Sequence, residues 1–105
     1  METLRFLVKG QMIKKDPSCP FNKMVAGSSN YYVAEFVMDE TWNGYACVAK
    51  FNVDGRFTYA PIISGKTTIP EDVLKHKKFG IGIIGKKDAT ILNTNETKII
   101  QIGGI

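Results

Sequence analysis

Alternation of apolar and polar side chains is the feature of this sequence that most restricts its fold. The clearest run, Tyr31 to Met38, puts Tyr32, Ala34 and Phe36 on one face of an extended chain, because successive side chains of a strand point to opposite faces. The other face, which carries Glu35, is also largely apolar, so we expect this strand to be central in its sheet. Helical periodicity is nearly absent from the rest of the chain, which indicates a β-rich fold.

The other predicted strands are short β-branched or aromatic runs bounded by turn residues. With the central run, they are Thr3–Val8 continuing through Gly10 toward Ile13, Met24–Ala26, Tyr31–Met38, Ala46–Asn52, Arg56–Ile63, Phe79–Gly85, Thr90–Leu92 and Glu96–Ile102. Asp54-Gly55 is a strong hairpin signal between two of them, and Pro61 indicates an edge strand or a strand end. Gly80 and Gly82 leave one face of their strand bare, which predicts a large neighbour there, with Trp42 as the candidate.

One segment, Ile69–Lys75, has the character of a helix. Pro70 suits a first helical turn, and two acidic residues follow it, which favours the helix dipole. So short a helix needs packing to be stable, and we expect Val73 and Leu74 to close one end of the core. The sequence therefore predicts an all-β fold in a single domain, residues 1–105: an antiparallel β-sandwich, Ig-like or a partly open barrel, with one short helical turn near residues 70–75.

Charge and length restrict the class of partner. The chain has 105 residues and a net charge of +4, but its basic residues are scattered through turns rather than interleaved with aromatic residues on one face. No apolar run approaches the roughly 18–20 residues that span a bilayer, and the first residues do not form a secretory signal. We therefore expect neither a nucleic acid nor a membrane as partner.

Residues with catalytic or metal-binding chemistry are few and badly spaced. The single histidine, His76, has a lysine on each side, which disfavours a bound cation. Cys19 and Cys47 cannot hold a tetrahedral zinc ion by themselves, and without an export signal we expect both thiols to be reduced. The G-x-G-x-x-G pattern of Gly80–Gly85 lies inside an apolar strand with no helix after it, so it does not indicate a dinucleotide site. We expect no enzyme activity, no cofactor and no metal.

The segment from Asp39 to Tyr45 has two interpretations. Trp42 either packs over an end of the sandwich and fixes the loop, which we favour, or stands exposed beside Tyr45 as an interface anchor. If the loop contacts a partner protein, the candidate residues are Asp39, Trp42, Asn43 and Tyr45. The loop from Asp16 to Pro20 and the C-terminal tail are further candidates, because binding residues concentrate in exposed connections.

Several short motifs follow one another in an order associated with a known family. They are Ala26–Tyr31, Phe36–Gly44, Val48–Phe51 with Asp54-Gly55, Ile69–Leu74, Phe79–Gly85 and Thr94–Thr97. Together they make the block from Val25 to Ile102 resemble the N-terminal β-sandwich domain of siphophage baseplate upper proteins and related tail-tip proteins of phages and prophages of Gram-positive bacteria.

The resemblance implies structural work in a virion. Such domains dock to neighbouring tail or baseplate proteins, usually as symmetric copies, so it implies a homo-oligomer at the tail tip that is made in the bacterial cytoplasm. Chains of the family usually continue past the sandwich, whereas this sequence ends at Ile105. We therefore expect a free-standing accessory subunit of the tail, or another use of the same fold.

Two other functions stay open. A small phage-encoded inhibitor or adaptor would bind a host protein in the cytoplasm, and the scattered positive charge would suit an acidic partner. A small enzyme with a pocket between its sheets is the least favoured.

Overall fold

The protein folds into two β-sheets packed against each other, as seen in a computed structural model. The structure describes residues 2–19, 27 and 32–101. The strands of that part of the chain are β1 (Glu2–Lys9), β2 (Met12–Lys15), β3 (Tyr32–Met38), β4 (Ala46–Val53), β5 (Arg56–Pro61), β6 (Lys66–Thr68), β7 (Lys78–Lys87), β8 (Thr90–Asn93) and β9 (Thr97–Ile100). Sheet 1 has the order β2-β1-β3-β6, and sheet 2 has the order β5-β4-β7-β8, with β9 also paired to β7. A 3-10 helix (Glu40–Trp42) and one helical turn, α1 (Glu71–Leu74), complete the described elements.

The predicted all-β sandwich with one helical turn is confirmed, and two details differ from the expectation. The run expected to continue through Gly10 is a hairpin instead: Gly10 has a φ of 55°, a conformation that glycine adopts without strain, and β2 returns along β1. Because β2 occupies one edge of β1, β3 joins the other edge, where it runs parallel to β1. The predicted strand Met24–Ala26 lies outside the described residues.

The core is built from the inward faces predicted by the alternation. Phe6 and Phe36 stack in sheet 1 with ring centroids 5.5 Å apart, and Phe51 and Phe79 meet in sheet 2 at 6.4 Å. As expected of the helical turn, Val73 and Leu74 of α1 are buried at one end of this core. Their burial supplies the packing that a four-residue helix needs.

A one-residue bulge separates β8 from β9. On β8, Asn93 pairs with Ile84, and on β9, Thr97 pairs with Ile81. Between these two pairs, the β8–β9 segment has one residue more than β7, which defines the bulge. Thr94 keeps the ladder bonded across the bulge, because its hydroxyl accepts a hydrogen bond from the Ile83 N–H at 2.8 Å. The bulge releases the next residue, Asn95, from β7.

Asn95 links the two sheets. Its side-chain oxygen accepts a hydrogen bond from the Ile13 N–H at 2.7 Å, and its side-chain amide donates to the Ile13 carbonyl at 3.3 Å. Its backbone N–H donates to the Gln11 carbonyl at 3.2 Å. The amide group therefore occupies the outer edge of β2 as a neighbouring strand's peptide would.

The opposite side of the sandwich is open, because a proline interrupts the ladder. Ile63 and Lys66 exchange backbone hydrogen bonds of 2.9 and 3.1 Å after β5. In that register the next hydrogen-bonded pair would join Pro61 to Thr68, and proline has no N–H to donate. β5 therefore stays in sheet 2 while β6 pairs with β3, and a groove of about 520 Å³ lies between the two strands.

We predict that Asn95→Ala lowers the free energy of unfolding by about 1–3 kcal/mol, because it removes two hydrogen bonds worth about 0.5–1.5 kcal/mol each. Urea unfolding measures the change. Asn93→Ala is the matched control, since Asn93 is as exposed but contributes only its backbone carbonyl to this region. Equal stability of the two variants would contradict the link between the sheets.

Candidate docking surfaces

The Asp39–Tyr45 loop is held by its first residue. The Asp39 carboxylate caps the 3-10 helix by accepting a hydrogen bond from the Thr41 N–H at 3.2 Å. It also accepts one from the Gly10 N–H at 2.9 Å. Asp39 therefore joins the loop to the β1–β2 turn and has a structural role, whether or not it also meets a partner.

Trp42 packs inside the sandwich, as the favoured interpretation predicts. Its side chain is 4% exposed, and its indole Nε1 donates to the Gly10 carbonyl at 2.8 Å. Its ring lies edge-on to Tyr45, with centroids 5.8 Å apart. The indole is thus not accessible to a partner, although it was one of the four candidate contact residues.

The glycine that accommodates Trp42 is Gly85, not Gly80 or Gly82 as predicted. A Cβ at Gly85 would lie 2.8 Å from Cζ3 of Trp42, closer than van der Waals contact allows. Gly80 and Gly82 face the opposite side of β7, where a Cβ would meet Glu96 Oε1 at 2.8 Å and the Asn95 carbonyl oxygen at 2.9 Å. The sequence prediction failed because alternation puts Gly85 on the core face and the other two glycines on the outer face.

The remaining candidates of this loop differ in accessibility. Asn43 is exposed, and Tyr45 is half-buried with the Lys87 Nζ 5.8 Å from its ring centroid. Of the four candidate contact residues, Asn43 is thus exposed, and Asp39 and Tyr45 are partly exposed. Their contact with a partner stays a prediction.

The two cysteines and the candidate metal ligands can be located in the described part of the chain. Cys19 and Cys47 are free thiols, and burial raises the pKa of the Cys47 thiol, which disfavours the reactive thiolate. Among residues 2–19, 27 and 32–101, no group of three His, Cys, Asp or Glu side chains is placed to hold a metal ion. None of the helices within these ranges is long and apolar enough to cross a bilayer.

The outer face of sheet 2 carries exposed aromatic residues on its edge strand. Phe57 and Tyr59 of β5 are 49% and 54% exposed, and Pro61 lies on the same face. An aromatic side chain in a strand ordinarily favours the core, but the cross-strand partners of these two residues on β4 are polar. Phe57 pairs with Asn52 and Tyr59 with Lys50, and polar partners indicate an outward face.

A polar cluster fills the centre of the same face. Glu96 receives a hydrogen bond from the Asn52 amide at 3.0 Å and lies 3.5 Å from the Lys50 ammonium. It lies over Gly80 and Gly82, whose missing side chains leave room for it. Lys50 Nζ lies 5.5 Å from the Phe57 ring centroid, a cation–π distance. The cluster therefore connects the centre of sheet 2 to the aromatic edge.

The β4–β5 hairpin determines which backbone groups point away from β4. Asp54 and Gly55 both have positive φ values, 51° and 83°, as in a type I′ turn, so the closing pair Val53–Arg56 is hydrogen-bonded. Hydrogen-bonded and non-hydrogen-bonded pairs alternate along an antiparallel ladder. The hydrogen bond from the Ile62 N–H to the Cys47 carbonyl, 3.0 Å long, fits the same alternation, since this pair is also expected to be hydrogen-bonded.

Phe57 and Tyr59 consequently direct their N–H and C=O groups toward the free edge of β5. Among the described residues, the other sheet edges are protected: Asn95 occupies that of β2, the bulge interrupts that of β8 and β9, and β6 is three residues long. A continuous uncharged stretch of strand edge is an association site unless it is blocked. In the described part of the chain, only β5 offers one, at Phe57–Tyr59.

No protein family model matches this chain, and no curated protein sequence matches it. The docking surfaces are therefore identified from geometry alone.

We predict that Trp42→Ala lowers the free energy of unfolding by about 3–5 kcal/mol, the usual loss for truncating a buried aromatic side chain. Trp42→Phe should cost less, because it keeps an aromatic ring in the buried site, although it loses part of the indole volume and the hydrogen bond to Gly10. Chemical unfolding measures both. Unchanged stability of Trp42→Ala combined with loss of association would instead assign Trp42 to an interface.

We predict that acid destabilises the protein partly through Asp39. Desolvation alone would raise the pKa of this carboxyl, but hydrogen bonds from Gly10 and Thr41 hold it below its ordinary value. A depressed pKa in the folded state adds stability above the unfolded-state pKa, and that stability is lost as the pH falls through the folded-state value. Asp39→Asn should therefore show a shallower loss of stability between about pH 5 and pH 2 than the unmodified protein. Parallel slopes in urea unfolding across this range would contradict the role.

Proposed function

We propose that this protein is a structural subunit of a phage or prophage tail that docks to neighbouring tail or baseplate proteins in the virion. The observation that carries the proposal is the β5 edge, where exposed aromatic side chains accompany unpaired backbone groups. The outer face of sheet 2 extends this surface. In such a role the chain binds neighbouring tail proteins and needs no catalytic group.

Physical chemistry supports docking at this surface. Tyrosine and phenylalanine supply large contact area with few rotatable bonds, which makes them frequent anchors of interfaces. A free strand edge adds main-chain hydrogen bonds to a partner strand while the side chains provide specificity. Modest contacts of this kind become stable when several copies engage together around a symmetry axis.

The family resemblance supports the assignment to a phage tail. Its motifs fall on β3 and the loop after it, on α1 and on β7, which all belong to the one sandwich. The tail-tip domains that this chain resembles hold neighbouring tail proteins in place. An inhibitor or adaptor would use the same surface to bind a host protein. The two functions therefore differ in where the chain is found: in the virion for a tail subunit, or on a host protein in the cytoplasm for an inhibitor.

We predict that the chain is present at a fixed ratio to tail proteins in purified phage particles, as measured by quantitative mass spectrometry. Phe57→Ser should reduce its incorporation, because the substitution removes an aromatic side chain from the docking edge. Met12→Ser is the matched control, since Met12 is 63% exposed on β2, away from β5, and should be incorporated normally. Absence from the particles, with one stoichiometric host protein recovered on the purified chain, would favour the inhibitor.

A further inference from the structure

We propose that two copies of this chain pair through β5, antiparallel about a two-fold axis, so that sheet 2 continues from one copy into the other. The inference rests on the proposed docking function and names a partner for the β5 edge. Three features of β5 support the pairing: the free backbone groups, the position of Pro61, and the side chains that would meet across the axis.

The free backbone groups match themselves across a two-fold axis at Thr58. In that register Phe57 of one copy lies opposite Tyr59 of the second copy, and the reverse holds on the other side of the axis. Both residues direct N–H and C=O groups outward, so each pair exchanges two hydrogen bonds. All the outward groups of these two residues would then be paired.

Pro61 affects the two neighbouring registers differently. With Thr58 on the axis, Pro61 lies opposite Gly55, whose N–H already donates to Asn52 Oδ1 at 2.9 Å, so the ladder ends there at the hairpin turn. With Tyr59 on the axis, Pro61 would face Phe57, and the Phe57 carbonyl would receive no donor because proline has no N–H. Both registers form the same number of backbone hydrogen bonds, but only the first pairs every outward group of Phe57 and Tyr59 and places these two aromatic residues opposite each other on both sides of the axis.

The side chains also suit a second copy. Opposite residues of an antiparallel pair lie on the same face, so Phe57 would meet Tyr59 of the second copy on the outer face, and aromatic pairs across strands are favourable. Arg56 is the one charged residue of β5, and it would lie opposite Ala60 rather than another cation. Pairing β5 with itself therefore brings no like charges face to face.

A cysteine at the axis tests the pairing directly. The two copies of Thr58 would form a non-hydrogen-bonded pair with Cα atoms about 4.5 Å apart, within the range of a disulfide. Under mild oxidation, we expect Thr58→Cys to give a covalent dimer on a non-reducing gel. Ala60→Cys is the matched control, because it lies on the same strand and face but away from the axis. Equal cross-linking of the two variants, or none of Thr58→Cys, would overturn the proposal.

Solution mass provides a second measurement that needs no new cysteine. We expect light scattering to give twice the chain mass for the unmodified protein, and the monomer mass for Tyr59→Lys, which removes one aromatic residue of each pair. Ile91→Lys should remain dimeric, because Ile91 is 63% exposed on β8, far from the axis. A monomeric unmodified protein at every concentration would reject the pairing.

The outcomes for the pairing and for the tail function are separable. A β5-linked dimer that is absent from phage particles would reject the tail function and keep the pairing. A chain that is present in particles but monomeric, with no Thr58→Cys cross-link, would do the reverse.

Discussion

The pairing of the Asn95 amide with Ile13 is the contact on which the shape of this domain depends. Two sheets packed face to face leave unpaired strand edges on both sides, and each edge must be bonded, shielded or left as an association site. Here the β8–β9 bulge frees Asn95 from one sheet, and its side chain occupies the edge of the other. One side of the sandwich is thereby closed by side-chain and backbone hydrogen bonds centred on Asn95 rather than by a strand.

The opposite side shows what happens without such a group. The chain passes from sheet 2 to sheet 1 at the Ile63–Lys66 turn, and a ladder that continued from there would have closed the barrel. Pro61 stands where the next donor is needed, so the strands separate and β5 keeps a free edge. The asymmetry of the domain therefore follows from one bulge and one proline, both of which are features of sequence rather than of composition.

Sequence alone predicted the elements better than their assembly. The alternation in Tyr31–Met38 and Phe79–Gly85 and the Asp54-Gly55 turn are local signals, and each corresponds to an element of the structure. The parallel pairing of β1 with β3 depends on which edge β2 leaves free, and local patterns do not record that. The position of Trp42 against Gly85 likewise requires knowing which face of β7 meets the loop.

The exposed aromatic residues show why the candidate site was harder to predict than the fold. An aromatic side chain in a strand favours the core, and only the polar partners of Phe57 and Tyr59 on β4 place them outside. On the outer face they lie beside Lys50, which forms a salt bridge with Glu96. Glu96 in turn lies over the glycines of β7. Because Gly80 and Gly82 make room for a charged cluster on the outer face, the centre of that face is polar. The exposed aromatic side chains of the face lie on β5. The edge left unpaired by Pro61 is thus also the edge that carries the aromatic side chains, and this coincidence makes β5 the favoured place for another protein strand to bind.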